Sequence, residues 1–148
     1  MTYYGTESDG TIYFSERLGS DAWTDASSTD RVKALKQSTR IIDNMKFVGL
    51  KLDEDQEHQF PRGDDETVPE DIEFATYEIA IALLDGFDPN SAVEDAVVTS
   101  EAFSDVKVTY DRNNAMIWKS VGIPNITAWN YLSKYILNPG AMKLSRVS

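Results

Sequence analysis

The stretch PEDIEFATYEIAIALLDG, residues 69–86, decides the fold. Proline stands at the entry, where its missing N–H is no loss, and Glu70, Asp71 and Glu73 crowd the positive end of the helix dipole that follows. Ile72, Ala75, Ile79 and Leu83 recur at the three- and four-residue steps of one helical face. Ala80, Ala82 and Leu84 widen that face until little polar circumference is left. The pattern predicts a helix buried nearly all round, ended by Gly86 and Pro89. Such a helix has to lie in the middle of other elements, and the neighbouring sequence supplies them.

Upstream, Ser8 or Asp9 can cap a short helix over about residues 9–18, ended near Gly19. Asp21-Ala22-Trp23 reads as a helical turn. Ser28, Thr29 or Asp30 then caps a longer helix reaching about Asn44. Val32, Leu35, Ile42 and Met45 form its apolar stripe, widened by Ala34, Ser38 and Ile41, with Lys33, Lys36 and Arg40 turned outward. Residues 46–68 show no sustained period and hold Gly49, Pro61 and Gly63. They read as a long surface loop with Phe47, Leu50, Leu52 and Phe60 as anchors to the body. Downstream, Asn90 or Ser91 caps a turn or two through Val97. In DVKVTYD, residues 105–111, Val106, Val108 and Tyr110 alternate with Lys107 and Thr109, the period of a strand. Asn125 caps a last helix, ITAWNYLSKYIL, residues 126–137, with Ala128, Leu132, Tyr135 and Ile136 on its apolar face and Asn138-Pro139-Gly140 as its stop. The expected fold is mainly α: a small helical bundle with a long acidic loop and a short β-strand or hairpin. Residues 1–138 form one helical domain, and residues 139–148 a short basic tail.

The 148 residues suit one domain with a real core. No cysteine is present, which excludes a disulfide scaffold, a thiolate nucleophile and a cysteine-zinc site. No apolar run approaches the length of a membrane helix, and MTYYGTESDG has neither the basic patch nor the apolar run of a signal peptide, so no membrane partner is expected. The net charge of −11 is unevenly spread. Residues 51–90 hold two basic and thirteen acidic side chains, while the flanking segments are nearly balanced. Nucleic-acid affinity rests on lysine and arginine releasing counterions, so this body is poorly suited to grip phosphates overall. LDEDQE and GDDET read as solvated loops.

Few residues offer chemistry. His58 is the single histidine and, in a charged loop, reads as exposed and inert. No phosphate-binding glycine motif occurs. DGFDPN, residues 85–90, lacks the spacing, central glycine and terminal glutamate of a calcium loop. The carboxylates of DED and DDE are consecutive, with nothing visible to raise one of them selectively. No enzyme is expected, and no cofactor or metal. Tyr13, Phe14 and Trp23 could stack bases beside Arg17, Arg31, Lys33, Lys36 and Arg40. Against that stands packing, where aromatic residues supply most contact area. On that reading Tyr13, Phe14, Leu18 and Trp23 seat the first helix on the long ones, leaving Arg17 near a neighbouring subunit or an internal acid.

The order of several features is distinctive. Tyr13-Phe14-x-x-Arg17-Leu18 precedes Trp23-x-x-Ala26-Ser27-x-x-Asp30, Ala34-Leu35, Thr39-Arg40 and Ile42-Asp43. Phe47-x-Gly49, Gln56, Phe60-Pro61-Arg62, Pro69-x-x-Ile72-x-x-Ala75-x-x-Glu78 and Leu83-Leu84 follow. Over residues 11–84 this resembles the head–tail connector or adaptor proteins of tailed bacteriophages, whose members are often labelled DnaT-like single-stranded DNA-binding proteins. Phe60 departs from the family's tryptophan before Pro-Arg. The resemblance implies a structural virion protein: a homo-oligomeric ring, of twelve copies as a rule, between the portal and the tail. Its expected partners are other copies of itself, the portal protein, and tail, nozzle or head-closure proteins, with double-stranded DNA passing through without specific binding. Its expected place is the virion neck, after assembly in the host cytoplasm. In that setting Tyr13, Phe14, Arg17, Leu18, Trp23, Trp118 and Trp129 are subunit interface or core. Met142, Lys143, Leu144 and Arg146 dock on the portal, and Asp53, Glu54, Asp55, Asp64, Asp65 and Glu66 line a DNA-repelling lumen. The alternative function is single-stranded DNA binding, supported by the local basic character of residues 31–40.

Overall fold

A computed structural model describes residues 2–91 and 118–137. The chain is mostly helical. Five bounded helices follow in order: α1 (Glu7–Ser15), α2 (Asp21–Asp25), α3 (Ser28–Asp43), α4 (Glu70–Leu84) and α5 (Ile126–Ser133). The expected strand at residues 105–111 and the basic tail lie outside the described residues. So does most of the turn expected to end at Val97, of which Pro89–Ser91 is described as helical.

The helix read from residues 69–86 is the hub. α4 packs against each of the other four helices. It can do so because it has two apolar faces. Ile72, Ala75 and Ile79 enter one core cluster with Ile42 of α3 and Ala128 and Leu132 of α5. Tyr77, Ala80 and Ile81 enter a second cluster with Phe14 of α1, Trp23 of α2, and Ala34 and Leu35 of α3. Ile72, Ala75, Ile79 and Ala80 have no exposed surface. Each fully buried isoleucine is worth about 1.5–3 kcal/mol, so this double face organises the bundle. Polar groups that enter the core are paired: Ser38 Oγ donates to the Thr76 carbonyl at 2.8 Å, and Thr39 Oγ1 accepts the Tyr4 N–H at 3.0 Å.

The ends of the helices differ from expectation by a cap or a turn. α1 is capped by Thr6, whose hydroxyl accepts the Asp9 N–H at 3.0 Å, so Ser8 and Asp9 lie inside the helix. It ends at Ser15, before Leu18. α3 is capped by Ser27, whose hydroxyl accepts the Asp30 N–H at 3.1 Å. Asn125 caps α5 as expected, accepting the Ala128 N–H at 2.9 Å. α5 stops at Ser133 because the backbone then pairs with another segment: Ile136 bridges Phe47, and Val48 N–H donates to the Tyr135 carbonyl at 2.9 Å.

The loop over residues 46–68 is ordered by long-range contacts. Phe47 and Phe60 are buried, their ring centroids 4.7 Å apart. The Arg62 guanidinium donates to the carbonyls of Phe47 (3.1 Å), Val48 (3.0 Å), Gly49 and Gln59 (3.3 Å). A bridge joins Lys51 to Arg62, and the Phe60–Pro61 peptide is cis. Leu50 and Leu52 are not anchors: they are 83% and 52% exposed. Side chains alternate along an extended segment, so pairing at Lys51 sends both leucines to one side, away from the body.

Candidate nucleic-acid interface

The aromatic residues at the start of the chain are packing groups. Phe14 and Trp23 are buried, with centroids 4.9 Å apart, and the Trp23 N–H donates to Thr11 Oγ1 at 3.1 Å. Neither offers a face to a base. Leu18 does not seat α1: it is 95% exposed, because the helix ends three residues before it. Arg17 meets an internal acid. Its guanidinium holds Glu78 of α4 through Nε at 3.0 Å and Nη2 at 3.1 Å, and the half-buried Tyr13 hydroxyl donates to the same carboxylate. Burial, together with the Glu78 carboxylate, pushes the Tyr13 phenol well above the ordinary tyrosine range.

His58 is buried, contrary to the expectation of an exposed imidazole. Its Nδ1 lies 2.6 Å from Asp43 Oδ2, and its Nε2 lies 3.7 Å from Glu57 Oε2. Asp43 also accepts the Tyr4 hydroxyl and, at 3.1 Å, the Gln59 N–H. The Tyr4 hydroxyl in turn accepts the Phe60 N–H at 3.2 Å. This network ties the N-terminal segment, the end of α3 and the loop together. Burial, and secondarily Asp43, raise the Tyr4 phenol. Among the described residues no group of three or more acidic or histidine side chains could hold a metal, including at residues 85–90.

The exposed charges are segregated. A cleft between α1 and α4 is lined by Asp9, Glu16, Glu70 and Glu73 over a floor that includes Tyr13 and Phe74. Burial, then Asp9 and Glu70, raise the Glu73 carboxyl. Asp53, Glu54, Asp55, Asp64, Asp65 and Glu66 are all exposed on the loop. Both surfaces repel phosphate. The outward face of α3 is different. Lys33, Lys36 and Arg40 are exposed, and their three- and four-residue spacing places them in one row. None of the three has an ion-pair partner among the described residues, whereas Arg17, Arg31 and Lys134 are held by Glu78, Glu7 and Asp71. The row covers about 10 Å at the helical rise of 1.5 Å per residue. The segment Trp118–Gly122 meets α3 at Ile41: a methyl group on Gly122 would stand 3.9 Å from Ile41 Cγ2. Trp118 there is partly buried against the core, with Lys119 Nζ 5.8 Å from its ring centre. Trp129 and Tyr131 likewise pack partly against the core.

Sequence reasoning found the outward turn of Lys33, Lys36 and Arg40 from helical period alone. It missed the approach of Gly122 to Ile41, which only the tertiary structure shows. Met142, Lys143, Leu144 and Arg146 lie outside the described residues.

Fold and site together define a small helical protein with an acidic body and, among the described residues, one row of cations without ion-pair partners. The chain belongs to the family described as "Putative DnaT-like ssDNA binding protein", whose profile matches residues 4–147. No curated protein and no solved structure matches the chain. The family finding overturns the expected head–tail connector. It names single-stranded DNA as the ligand of the family, and nothing found supports a ring, portal and tail partners, or a lumen that passes double-stranded DNA without binding it. The connector reading drew on the order of family features. Phe14 and Trp23, expected at a subunit interface or in the core, lie in the protein's own core.

Proposed function

We propose that the protein binds single-stranded DNA along the outward face of α3. The supporting observation is the row of Lys33, Lys36 and Arg40, exposed and without carboxylate partners among the described residues of a chain carrying −11. Three cations in about 10 Å match about three phosphates at the 3.4 Å spacing of one stacked strand. They supply affinity without reading bases, since phosphate contacts position a strand and base contacts specify it. The acidic loop and the α1–α4 cleft confine the strand to this face by repulsion.

The test is fluorescence anisotropy of a labelled oligothymidine against salt. Neutralising about three phosphates gives a slope of log affinity on log salt of about −2 for a single strand. Lys33→Ala, Lys36→Ala and Arg40→Ala together should abolish binding at low salt while leaving the helical circular dichroism unchanged. A folded triple variant that binds as tightly as the parent would refute the assignment.

A further inference from the structure

The cations of α3 do not by themselves select a single strand. A duplex carries one phosphate charge per about 1.7 Å of its axis, against about 3.4 Å for one strand, so positive charge alone favours the duplex. Preference for a single strand needs groups that engage what it alone offers, bases whose pairing edges are open. The outward face of α3 carries such groups. Gln37 is exposed among the cations, four residues after Lys33 and three before Arg40. Asn44, exposed at the C-cap, follows Arg40 by four.

Helical period sorts the five side chains into two edges. With Lys33 as origin and about 100° per residue, Arg40 and Lys36 lie about 20° and 60° to one side, and Asn44 and Gln37 about 20° and 40° to the other. The face thus has a cationic edge and a carboxamide edge, side by side along about 16 Å of helix. The two edges differ in chemistry. Lysine and arginine only donate hydrogen bonds, whereas a carboxamide holds N–H donors beside a C=O acceptor. That arrangement matches the donor and acceptor that stand side by side on a base edge. In unpaired thymine, N3–H donates and O4 accepts.

Resting on the assignment of α3 as the strand-binding face, we infer that Gln37 and Asn44 are its specificity-determining residues. Phosphates lie on the cationic edge, and unpaired bases turn to the carboxamide edge and exchange hydrogen bonds with it. A duplex uses the same pairing edges within its own base pairs, so the carboxamides favour single-stranded DNA.

Gln37→Ala with Asn44→Ala changes two exposed side chains and no charge. Anisotropy is measured with oligothymidine, with an abasic strand of equal length and with an equally long duplex. The parent should bind oligothymidine about tenfold more tightly than the abasic strand, the order of two hydrogen bonds of ordinary net strength. The variant should bind these two strands alike, keep the parent's salt dependence and lose the preference for a single strand over duplex. A variant that still distinguishes thymine from abasic strands, or a parent that does not, overturns the inference. If Lys33→Ala, Lys36→Ala and Arg40→Ala together still abolish binding in that case, the α3 face itself stands. A folded triple variant that binds like the parent removes both the face and the inference built on it.

Discussion

Glu78 has 1% of its side chain exposed, and a carboxylate so placed has to be compensated. Arg17 supplies two charge-assisted contacts and Tyr13 a third. Removing the cation leaves the carboxylate buried and unpaired. Arg17→Ala should therefore destabilise the protein by on the order of 2–3 kcal/mol in urea denaturation. That is less than the about 3–5 of a fully buried pair, because Arg17 is itself about one-third exposed. Arg17→Ala combined with Glu78→Leu should recover most of that loss, and a double variant no better than the single would show that the charge is not the cause. The tyrosines offer a second measurement. Burial pushes Tyr77 up to about 12 from the ordinary 10. The folded state then holds a proton that the unfolded state has lost, so this contribution is intact below about pH 10 and fades as pH rises through about 12. Native tyrosinate absorbance between those values should lag that of the urea-unfolded chain, and coincident titrations would contradict the burial.

Among the elements, α1 and α2 meet at a glycine. Gly10 of α1 faces the Trp23 ring of α2, and a methyl group there would stand 3.0 Å from Cζ2 and Cη2. The ring has little room to move: Phe14 packs on it, Thr11 takes its N–H, and Arg31 lies over it with Cζ 5.4 Å from the ring centre. Gly10→Ala gains about 1 kcal/mol of helix propensity but overpacks a fixed contact at about 1–3 kcal/mol, so a net loss is expected. Trp23→Ala should cost about 3–5 kcal/mol, and wild-type thermal stability in either variant would contradict the packing. The same elements show what the sequence could reveal. The double apolar face of α4 was legible because its period is local. The seats of Phe14 and Trp23 followed from their size. The order in residues 46–63 was not legible, because it depends on Arg62 reaching four carbonyls and on Phe47 meeting Phe60 across a loop. His58 looked exposed for a similar reason, since its partner Asp43 lies fifteen residues away on α3. The row on α3 was visible from spacing, but its lack of acidic partners among the described residues could not be read from sequence, because partners such as Glu78 for Arg17 lie far along the chain.

At the scale of the whole molecule, the proposed binding face of three cations has to work within the field of a body carrying −11. The charge is concentrated in residues 51–90, and its exposed part follows α3 directly in the chain. At low ionic strength that field extends about 30 Å at 0.01 M salt, far enough to cover the α3 row and to slow and weaken the approach of any strand. At 0.15 M it extends only about 8 Å, and the local contacts decide. Replacing Asp53, Asp55, Asp64 and Asp65 by asparagine removes four charges without touching Lys33, Lys36 or Arg40, and all four side chains are exposed, so the core is undisturbed. Affinity for oligothymidine should rise several-fold at 0.01 M salt, and the parent and the variant should converge as salt approaches 0.15 M. An equal gain at both salt concentrations would mean that these carboxylates touch the strand or its contacts directly. No gain at either would mean that the strand lies beyond the reach of the acidic loop, and hence away from α3.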